Sequence, residues 1–296
     1  MTVFIINDVN KLGSVPVGNS NQVRIMGIIN TSPESFYKKS IASGRQLASV
    51  AKQMDEQGAD FVDVGGMSTA PYLSTMVSEK IESKRVTDAI KIIKKVSNLP
   101  ISVDTCRATV AKEALKEGAE ILNDISGLKY DKAMLDIVSR YQPSLVLCAH
   151  SKKPVQGNNI AKTKDLLRES LALAKSAGVS TKNIVLDPAI GFFRKTGNGP
   201  FFTKINSDWV ERDLLILQNL RLLKSGQPLL VSVSNKSFIG KLLKKEDPSD
   251  RLFGSLAAEV IAVLNGADII RTHNVKETKQ AVFLAQKFLH KSKKGL

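Results

Sequence analysis

From residue 25 onward, short apolar runs alternate with longer stretches in which apolar residues recur every three or four positions. The runs are rich in β-branched residues, which is typical of parallel strands that are buried on both faces. They predict strands at Ile25–Ile29, Phe61–Val64, Ile101–Val103, Ile121–Asn123, Leu145–Cys148, Ile184–Leu186, Leu229–Val233 and Ile269–Arg271. The longer stretches predict helices at Gly44–Gln57, Ser78–Val96, Ala108–Glu117, Lys132–Tyr141, Lys162–Ala177, Trp209–Lys224, Arg251–Asn265 and Lys276–Lys287.

Glycine follows several of the predicted helices. Gly58, Gly118, Gly178 and Gly266 each stand between a helix and the next strand, where a left-handed residue closes a helix. The alternation of strands and helices predicts an α/β fold, a closed (β/α)8 TIM barrel, in which the chemistry lies on the loops that follow the strands. An open doubly wound sheet is the alternative that this alternation leaves open.

The first 24 residues precede the repeating pattern. Two apolar runs in this segment, Val3–Ile6 and Val15–Val17, predict a small hairpin that caps the lower end of the barrel. Because no low-complexity linker divides the chain, we expect one domain, with the cap at residues 1–24 and the barrel at residues 25–290.

The chain is basic, with 43 Lys and Arg residues against 28 Asp and Glu residues and a formal net charge of +15. Such a charge suits either nucleic-acid binding or an anionic small substrate. The basic residues are spread along the chain, and their local runs at 91–95, 241–245 and 291–294 are typical of solvated helix faces. No zinc-finger, helix-turn-helix or RNP-like pattern accompanies them, so we expect a small-molecule substrate and no nucleic-acid partner.

The two cysteines, Cys106 and Cys148, cannot build a disulfide framework and belong to no C-x-x-C pair. The histidines, His150, His273 and His290, lack the spacing of a zinc site. The sequence has no apolar run of about 18 residues, and its N-terminus lacks the basic region and cleavage site of a secretory signal. We therefore expect a protein of the reducing cytoplasm with no membrane partner.

Polar side chains end nearly every predicted strand. In chain order they are Asn30, the segment GGMSTAP, Asp104, Asn123 with Asp124, His150, Asp187, Lys236, and Arg271 with His273. A single Asp at a strand end is usually a helix cap. Several such groups on one rim indicate a site instead, because buried charges without compensation are costly.

These residues stand in segments that resemble the dihydropteroate synthase family. The segments MGIINTSPESF, DVGGMSTAP, ISVDT, NDIS, LDPAIGF, SNKSFIG and GSLAAEVIAVLNGADIIRTHNVKET occur in that family's order and spacing, over residues 25–282. The resemblance implies a transferase of folate biosynthesis. Its reaction would condense 6-hydroxymethyl-7,8-dihydropterin diphosphate with 4-aminobenzoate or a related arylamine and release diphosphate.

The resemblance also implies which residues bind the pterin. Asp187 would accept hydrogen bonds from the donor edge of the ring while Lys236 faces its carbonyl, which gives a charge-assisted contact. Asp104 and Asn123 would meet the remaining ring nitrogens, and Phe192 would line the pocket as an aromatic wall. Asp104 and Lys236 are the implied catalytic residues, and Asp104 would offset the positive charge that develops as diphosphate leaves.

For the diphosphate, the resemblance implies the side chains Asn30, Thr69, Arg271 and His273. Arg271 has the planar fork that suits phosphate oxygens, and it leaves an extended chain on the same side as His273. Arg271 could instead pair with a carboxylate such as Glu277. Mg2+ is the implied cofactor, with Asn30 as its ligand.

The arylamine is expected beside Pro71, Ser234 and Ser237. The resemblance further implies a homodimer that packs through the last two helices, Arg251–Asn265 and Lys276–Lys287. Within the sequence, the stretch LAAEVIAVL supports this, since it is apolar on more than one face and predicts neighbours on both sides.

The chain departs from the family's pattern mainly around the second substrate. Met67 and Ala70 stand where the family has Glu and Arg beside the Ser-Thr pair. Further departures are Glu34 for Asp, Ala149 for Met, Ala189 for Gly, Asn235 for Arg and Asn274 for Asp. The stretch 193–208, with Arg194 and Lys195, is either a source of replacement cations or an ordinary solvent loop. Two other functions stay open: a catalytically divergent pterin-binding homologue, and a pterin-dependent methyltransferase, which would not require the diphosphate-binding pair.

Overall fold

The computed structural model describes residues 9–18, 21–32, 44–71 and 76–292, with side chains as far as residue 289. The predicted run Val3–Ile6, Glu34 and the side chain of His290 lie outside the described residues. The strands are β1 (Lys11–Leu12), β2 (Val15–Pro16), β3 (Arg24–Asn30), β4 (Phe61–Gly65), β5 (Ile101–Asp104), β6 (Ile121–Asp124), β7 (Ser144–Cys148), β8 (Ile184–Asp187), β9 (Phe193–Arg194), β10 (Thr203–Lys204), β11 (Leu230–Val231) and β12 (Ile269–Thr272).

The helices are α1 (Gly44–Glu56), α2 (Glu79–Ile93), α3 (Ala108–Glu117), α4 (Met134–Tyr141), α5 (Asn159–Ser176), α6 (Trp209–Gln218), α7 (Leu220–Leu223), α8 (Ser237–Leu243), α9 (Leu252–Leu264) and α10 (Val275–Ser292). Gly58, Gly118, Gly178 and Gly266 all adopt the left-handed conformation that their positions predict. None of the helices in the described part of the chain combines the length and the apolar character that a membrane span requires.

Within the described residues, eight parallel strands form one sheet in the order β11-β12-β3-β4-β5-β6-β7-β8. The two outer strands meet through a parallel bridge between Leu186 and Leu229, where the Leu186 N–H donates to the Pro228 carbonyl at 3.0 Å. The sheet therefore closes on itself with the helices outside. The predicted (β/α)8 barrel is confirmed, and the open doubly wound sheet is excluded.

The register of the strands stacks the interior side chains in layers. Asn30 of β3 is level with Gly65 of β4, Gly65 with Asp104 of β5, and Asp104 with Asn123 of β6. Asp63 stands two residues before Gly65 and points to the same side of β4, because side chains alternate along a strand. The C-terminal end of the barrel interior is thus polar on several adjacent strands.

The opposite end of the barrel is closed by the N-terminal hairpin. Strands β1 and β2 pair antiparallel, and the turn between them holds Gly13 at a φ of +55°. The Gly13 N–H donates to the Ser144 hydroxyl at the start of β7, at 2.9 Å. Fully buried apolar side chains join the hairpin to the barrel interior: Leu12, Val17, Met26, Phe61, Ile121, Val146, Val185, Leu230 and Ile269. A hairpin thus caps this end of the barrel as predicted, but the partner of the predicted run Val15–Val17 is Lys11–Leu12, and Val3–Ile6 lies outside the described residues.

Two predicted elements differ clearly from the structure, and one helix was not predicted. The predicted helix Trp209–Lys224 is wrong as a single helix, because α6 ends before Asn219 and α7 begins after it. The Asn219 side chain donates to the Leu215 carbonyl at 2.8 Å, a local bond of the kind that competes with the helical pattern. Helix α8 was not predicted, and β11 is shorter than the predicted strand Leu229–Val233.

Candidate active site

A cleft of about 860 Å³, part of it open to solvent, lies at the C-terminal ends of the barrel strands. It is lined by every residue for which the sequence predicts a site role: Asn30, Thr69, Pro71, Asp104, Asn123, Asp187, Phe192, Ser234, Lys236, Ser237, Arg271 and His273. The predicted convergence of these side chains is therefore found in the fold.

Arg271 is the centre of a partly buried network of charges. Its Nε lies 2.6 Å from Asp63 Oδ2, and its Nη2 lies 2.7 Å from Asp104 Oδ2. Asn123 donates its Nδ2–H to the same Asp63 Oδ2 at 3.0 Å. Asp63 thus orients two of the predicted site residues at once. The sequence left open that Arg271 pairs with a carboxylate such as Glu277. Arg271 does pair with carboxylates, but they are those of Asp63 and Asp104.

Asp63 is the residue that sequence reasoning missed. It is fully buried in β4, between Val62 and Val64, and its Oδ1 has no hydrogen-bond partner among the described residues. The available signal was an acidic residue in the middle of an otherwise apolar strand. An ionised side chain in that setting requires a buried cation, and Arg271 is that cation.

The pKa of Asp104 is raised from its ordinary value to about 7. Burial is the main cause, the Arg271 guanidinium opposes it, and the nearby Asp63 carboxylate adds to it. Asp104 can therefore exist both with and without its proton near neutral pH. A carboxylate in this position responds to any positive charge that a ligand brings next to it.

Asp187 and Lys236 are two further ionisable groups of the cleft, near enough for each to affect the pKa of the other. The Ala189 N–H donates to Asp187 Oδ1 at 2.7 Å, and burial raises the pKa of Asp187. The Lys236 ammonium lies 4.0 Å from the centre of the Phe192 ring. Burial lowers the pKa of Lys236 to about 8, and the Asp187 carboxylate opposes this shift.

The loop between Asp187 and Phe192 has a tight backbone. Ala189 has a φ of +56°, a conformation that glycine adopts without strain and that costs an alanine about 1 kcal/mol. Gly191 has a φ of +88°, and a Cβ there would stand 2.9 Å from Lys236 Cδ. The Asp213 carboxylate accepts from the Gly191 N–H at 2.9 Å and fixes the loop from below. The aromatic wall and the lysine are thereby held in contact.

His273 and Arg271 both face the cleft, as their alternate positions predict, while Thr272 between them bonds to Thr278 outside the barrel at 3.0 Å. His273 Nδ1 lies 3.0 Å from the Ser234 hydroxyl, which also accepts from the His273 backbone N–H at 3.2 Å. Burial, with Arg271 and Lys236 nearby, lowers the pKa of His273 to about 3. The imidazole is therefore neutral at physiological pH and offers a hydrogen bond without a charge.

The side of the cleft predicted for the arylamine contains Pro71 and Ser237 together with the divergent positions Met67 and Ala70. Arg194 belongs to this group, because it lines the cleft, whereas Lys195 is exposed. Of the two replacement cations suggested by the sequence, the structure brings Arg194 into the site and leaves Lys195 outside it.

The described residues contain no cluster of three or more His, Cys, Asp or Glu side chains that could hold a metal ion by itself. Asn30, on the rim of the cleft, offers one amide oxygen. Mg2+ commonly takes only one or two protein ligands and completes its shell with water and substrate phosphates. The donor set therefore fits a magnesium ion that arrives with a diphosphate and does not fit a permanent protein cage.

The chain is similar to known proteins in both sequence and fold. The family model described as pterin binding enzyme matches residues 26–273. The dihydropteroate synthase of Synechocystis is 35% identical over 285 residues, covering 90% of this chain and 92% of the relative. The dihydropteroate synthase of Bacillus subtilis is 35% identical over 269 residues, covering 90% and 89%.

Solved structures give the same picture. A dihydropteroate synthase from Clostridium difficile, determined with pteroic acid, has a TM-score of 0.78 at 35% identity and covers 90% of this chain and 97% of its own. The enzyme from Xanthomonas albilineans with 4-aminobenzoic acid has a TM-score of 0.78 at 30% identity, with coverage of 91% and 94%. The sequence relatives and the solved structures are thus all dihydropteroate synthases, and each is similar to about nine-tenths of this chain.

Proposed function

We propose that this chain, which belongs to the dihydropteroate synthase family of pterin-binding enzymes, condenses 6-hydroxymethyl-7,8-dihydropterin diphosphate with 4-aminobenzoate and releases diphosphate. The observation that carries the proposal is one cleft that brings the Arg271–Asp104 ion pair together with Asp187 and Lys236. Relatives bound to pteroic acid and to 4-aminobenzoic acid support the two substrates.

The pterin ring is held by the strand ends of β5, β6 and β8 and by Lys236. Asp187 accepts from the adjacent N–H donors of the ring, and Lys236 donates to the ring carbonyl beside them. Asn123, oriented by Asp63, meets the opposite nitrogens. Phe192 packs against the pterin ring. The Phe192 side chain lies beside Lys236, whose ammonium is 4.0 Å from the centre of the phenyl ring.

The diphosphate is placed beside Arg271, His273, Asn30 and Thr69. Arg271 contributes a guanidinium that Asp63 and Asp104 hold in place and whose charge they partly offset, and His273 contributes a neutral hydrogen-bond donor on the same side of the chain. Mg2+ would be held by Asn30 and the diphosphate oxygens, where it would neutralise part of the leaving group's charge.

The reaction breaks the bond between the pterin methylene carbon and the diphosphate oxygen, and the electron pair leaves with the diphosphate. Asp104 stabilises the positive charge that develops on the pterin methylene, because its carboxylate is already fixed by Arg271 at 2.7 Å. The arylamine nitrogen then forms the new carbon–nitrogen bond and loses a proton to solvent. The protein contributes mainly by orientation and electrostatics, and no covalent intermediate with a side chain is needed.

The other functions considered at the sequence level fit less well. A methyltransferase or a pterin-binding homologue without catalysis would not require the diphosphate-binding pair, yet Arg271 and His273 both line the cleft. The curated relatives are dihydropteroate synthases over about nine-tenths of this chain. The transferase activity is therefore the function that site and family support together.

The direct test is to incubate the protein with the pterin diphosphate, 4-aminobenzoate and Mg2+ and to follow diphosphate release. We expect release that depends on the arylamine, with formation of the pterin–arylamine conjugate. Omitting Mg2+ tests the cofactor, and Asp187→Asn is the variant that should lose the reaction. Binding of the pterin alcohol without any turnover would support the non-catalytic homologue instead.

We also propose a homodimer that packs through α9 and α10. Large apolar side chains on these helices are exposed, including Phe253, which is 83% exposed, together with Ile261, Phe283, Leu284 and Phe288. Several large exposed apolar side chains on two helices that pack against each other are typical of an interaction site. Sedimentation at micromolar concentration should give a dimer, and a monomer would contradict the proposal. A cytoplasmic location is proposed as well, supported by two buried free cysteines, Cys106 and Cys148.

A further inference from the structure

We propose that Arg212 and Asp213, neighbours in α6, are positioning residues that hold the pterin-binding side chains Asp187 and Lys236 through the backbone of the loop after β8. The inference rests on the proposed function and deepens it, because it names two residues that act on the pterin site without lining the cleft. It is carried by hydrogen bonds from both residues to that loop, residues 188–191.

Arg212 and Asp213 form an ion pair outside the barrel strands. Their side chains are fully buried, and Arg212 Nη1 lies 3.1 Å from Asp213 Oδ1. Burial lowers the pKa of Arg212 and raises the pKa of Asp213, so the surroundings disfavour both charges. Apolar residues of similar volume often stabilise a fold as well as a buried ion pair does. Stability alone therefore does not account for the pair, and its other contacts indicate what it does.

Arg212 is joined to Asp187 through a single peptide unit. Arg212 Nη2 donates to the Pro188 carbonyl at 2.9 Å. The N–H of the same peptide unit, which belongs to Ala189, donates to Asp187 Oδ1 at 2.7 Å. Hydrogen bonds in a chain polarise one another, so a cationic donor on the carbonyl strengthens the N–H as a donor. Arg212 thereby fixes the carboxylate of Asp187 from outside the cleft.

Asp213 acts on the other end of the loop. Its Oδ2 accepts from the Gly191 N–H at 2.9 Å. Gly191 lies against the Lys236 side chain, since a Cβ there would stand 2.9 Å from Lys236 Cδ and 3.5 Å from its Nζ. The backbone that Asp213 holds is therefore the wall along which the lysine side chain lies.

The guanidinium of Arg212 is itself fixed from two other directions. Its Nη2 also donates to the Thr163 hydroxyl of α5 at 3.0 Å, and its central carbon lies 3.6 Å from the centre of the Phe193 ring. Together with Asp213, these contacts leave the cation one arrangement against the loop. Helices α5 and α6 thus hold the segment in which Ala189 has its positive φ.

Arg212 also acts on Asp187 by its charge. Burial raises the pKa of Asp187, and the Arg212 guanidinium opposes this rise, as do Lys236 and Arg271. The carboxylate must be ionised to accept from two ring donors at once. Arg212 therefore favours the form of Asp187 that binds the pterin.

Asp213 acts in the same way on Lys236. Burial lowers the pKa of Lys236 to about 8, and Arg271 adds to this, whereas Asp187, Asp213 and Cys148 oppose it. The ammonium form is the one that donates to the ring carbonyl with a charge. Each residue of the pair thus favours the charged form of one pterin-binding side chain.

The test measures the affinity for the pterin alcohol by calorimetry from about pH 5 to about pH 9, a range that includes both limbs of the binding profile. The main variant is the double substitution Arg212→Met/Asp213→Asn, which removes both charges together and keeps an acceptor for the Gly191 N–H. The matched control is Arg168→Met/Asp165→Asn, because this Arg–Asp pair of α5 is exposed.

We expect the double variant to lose about 3- to 10-fold in affinity at its best pH, the range that one hydrogen bond contributes. Its acid limb should move to higher pH, because Asp187 loses the cation that favours its ionised form. Its alkaline limb should move to lower pH, because Lys236 loses the anion that favours its charged form. The control should match wild type at every pH, and Arg212→Lys, which keeps the charge and a donor, should keep the acid limb of wild type.

The remaining outcomes contradict the inference. An unchanged profile in the double variant would overturn it while leaving the proposed function in place. An equal fall at every pH, with both limbs unmoved, would show a packing role alone. If the double variant does not fold, Asp213→Asn decides, since only its alkaline limb should move and an unmoved limb would refute the role of Asp213. Failure of wild type to bind the pterin alcohol would overturn the proposed function and this inference with it.

Discussion

The two ends of the barrel are built on the same strands but are filled with opposite kinds of side chain. At the N-terminal end, Leu12 and Val17 of the hairpin segment pack on Met26 and Phe61, and all four are fully buried and apolar. At the C-terminal end, the interior holds carboxylates, amides and cations within hydrogen-bonding distance of one another. A few residues along each strand separate the two environments.

This difference separates stability from function within one molecule. Burial of apolar side chains at the lower end contributes to folding, since each fully buried Leu or Phe stabilises by about 1.5–3 kcal/mol. At the upper end, burial raises the pKa of Asp104 and of Asp187, which means that the folded protein disfavours their charged forms. The upper end is therefore arranged for a ligand that supplies donors and positive charge, at some expense to the unliganded fold.

The largest expected effect is a loss of stability when a buried side chain is removed from the N-terminal end of the barrel. Leu12→Ala should lower the free energy of unfolding by about 2–5 kcal/mol, because it leaves a cavity between the hairpin and the strands. Affinity for the pterin alcohol should not change. Chemical denaturation measures the first quantity, and calorimetry the second.

The matched control is Leu222→Ala, at a leucine of α7 that is 54% exposed and should change the free energy of unfolding by less than about 0.5 kcal/mol. If both variants unfolded at the same denaturant concentration as the parent, the hairpin would not belong to the cooperative unit of the barrel. The contrast between the two ends would then be only one of composition.

A slightly smaller effect is expected at the C-terminal end of the barrel, where a substitution should weaken pterin binding. Asp187→Ala should weaken pterin affinity by about 2–4 kcal/mol, because the buried donors of the ring lose their charged acceptor. The free energy of unfolding should change far less than in Leu12→Ala, since burial raises the pKa of Asp187 and its charge does not favour folding. Asp136→Ala, at an exposed position of α4, is the control for both measurements. Unchanged affinity in Asp187→Ala would mean that the ring is bound elsewhere.

The lower end and the barrel itself could be predicted from sequence because both depend on local pattern. Each strand is a short apolar run, each helix has its own periodicity, and glycines such as Gly118 mark the helix ends. The failures also have local causes. Helix α8, Ser237–Leu243, is too short to show a period, and Asn219 ends α6 through a side-chain bond that periodicity does not report.

The upper end could be predicted only in part. Residues that follow the strands were identified, because a barrel brings the strand ends together. Asp63 was missed, because its role depends on Arg271, which lies 208 positions away in the chain. Arg194 was identified only as one of two candidate cations, since its stacking on Trp209 depends on the pairing of β9 with β10. Side-chain partners across the barrel are set by tertiary structure, and a single sequence does not contain them.

The smallest expected effect is a pH dependence of the free energy of unfolding that arises only at the C-terminal end of the barrel. The pKa of Asp104 is raised from 3.8 to about 7 in the folded protein, so the folded state holds this proton more tightly than the unfolded state does. The stability contributed by the protonated carboxyl is therefore complete below about pH 4 and is lost as the pH rises through about 7. Asp104→Asn cannot lose a proton and should lack this component.

The measurement is the free energy of unfolding of parent and Asp104→Asn across the range from pH 5 to 8. Relative to the parent, the variant should gain roughly 1–2 kcal/mol over that range, a value reduced for the partial exposure of the side chain. Asp63 on β4, Glu82 on α2, Arg271 on β12 and Lys236 all act on Asp104, and they are present in both proteins, so the difference between the two curves isolates this carboxyl. Leu12→Ala provides the contrast, because its loss of stability should be the same at every pH in the range. Parallel curves for Asp104→Asn and the parent would show that the Asp104 carboxyl stays ionised over the whole range, held by Arg271. The C-terminal end of the barrel would then make no pH-dependent contribution to the free energy of unfolding.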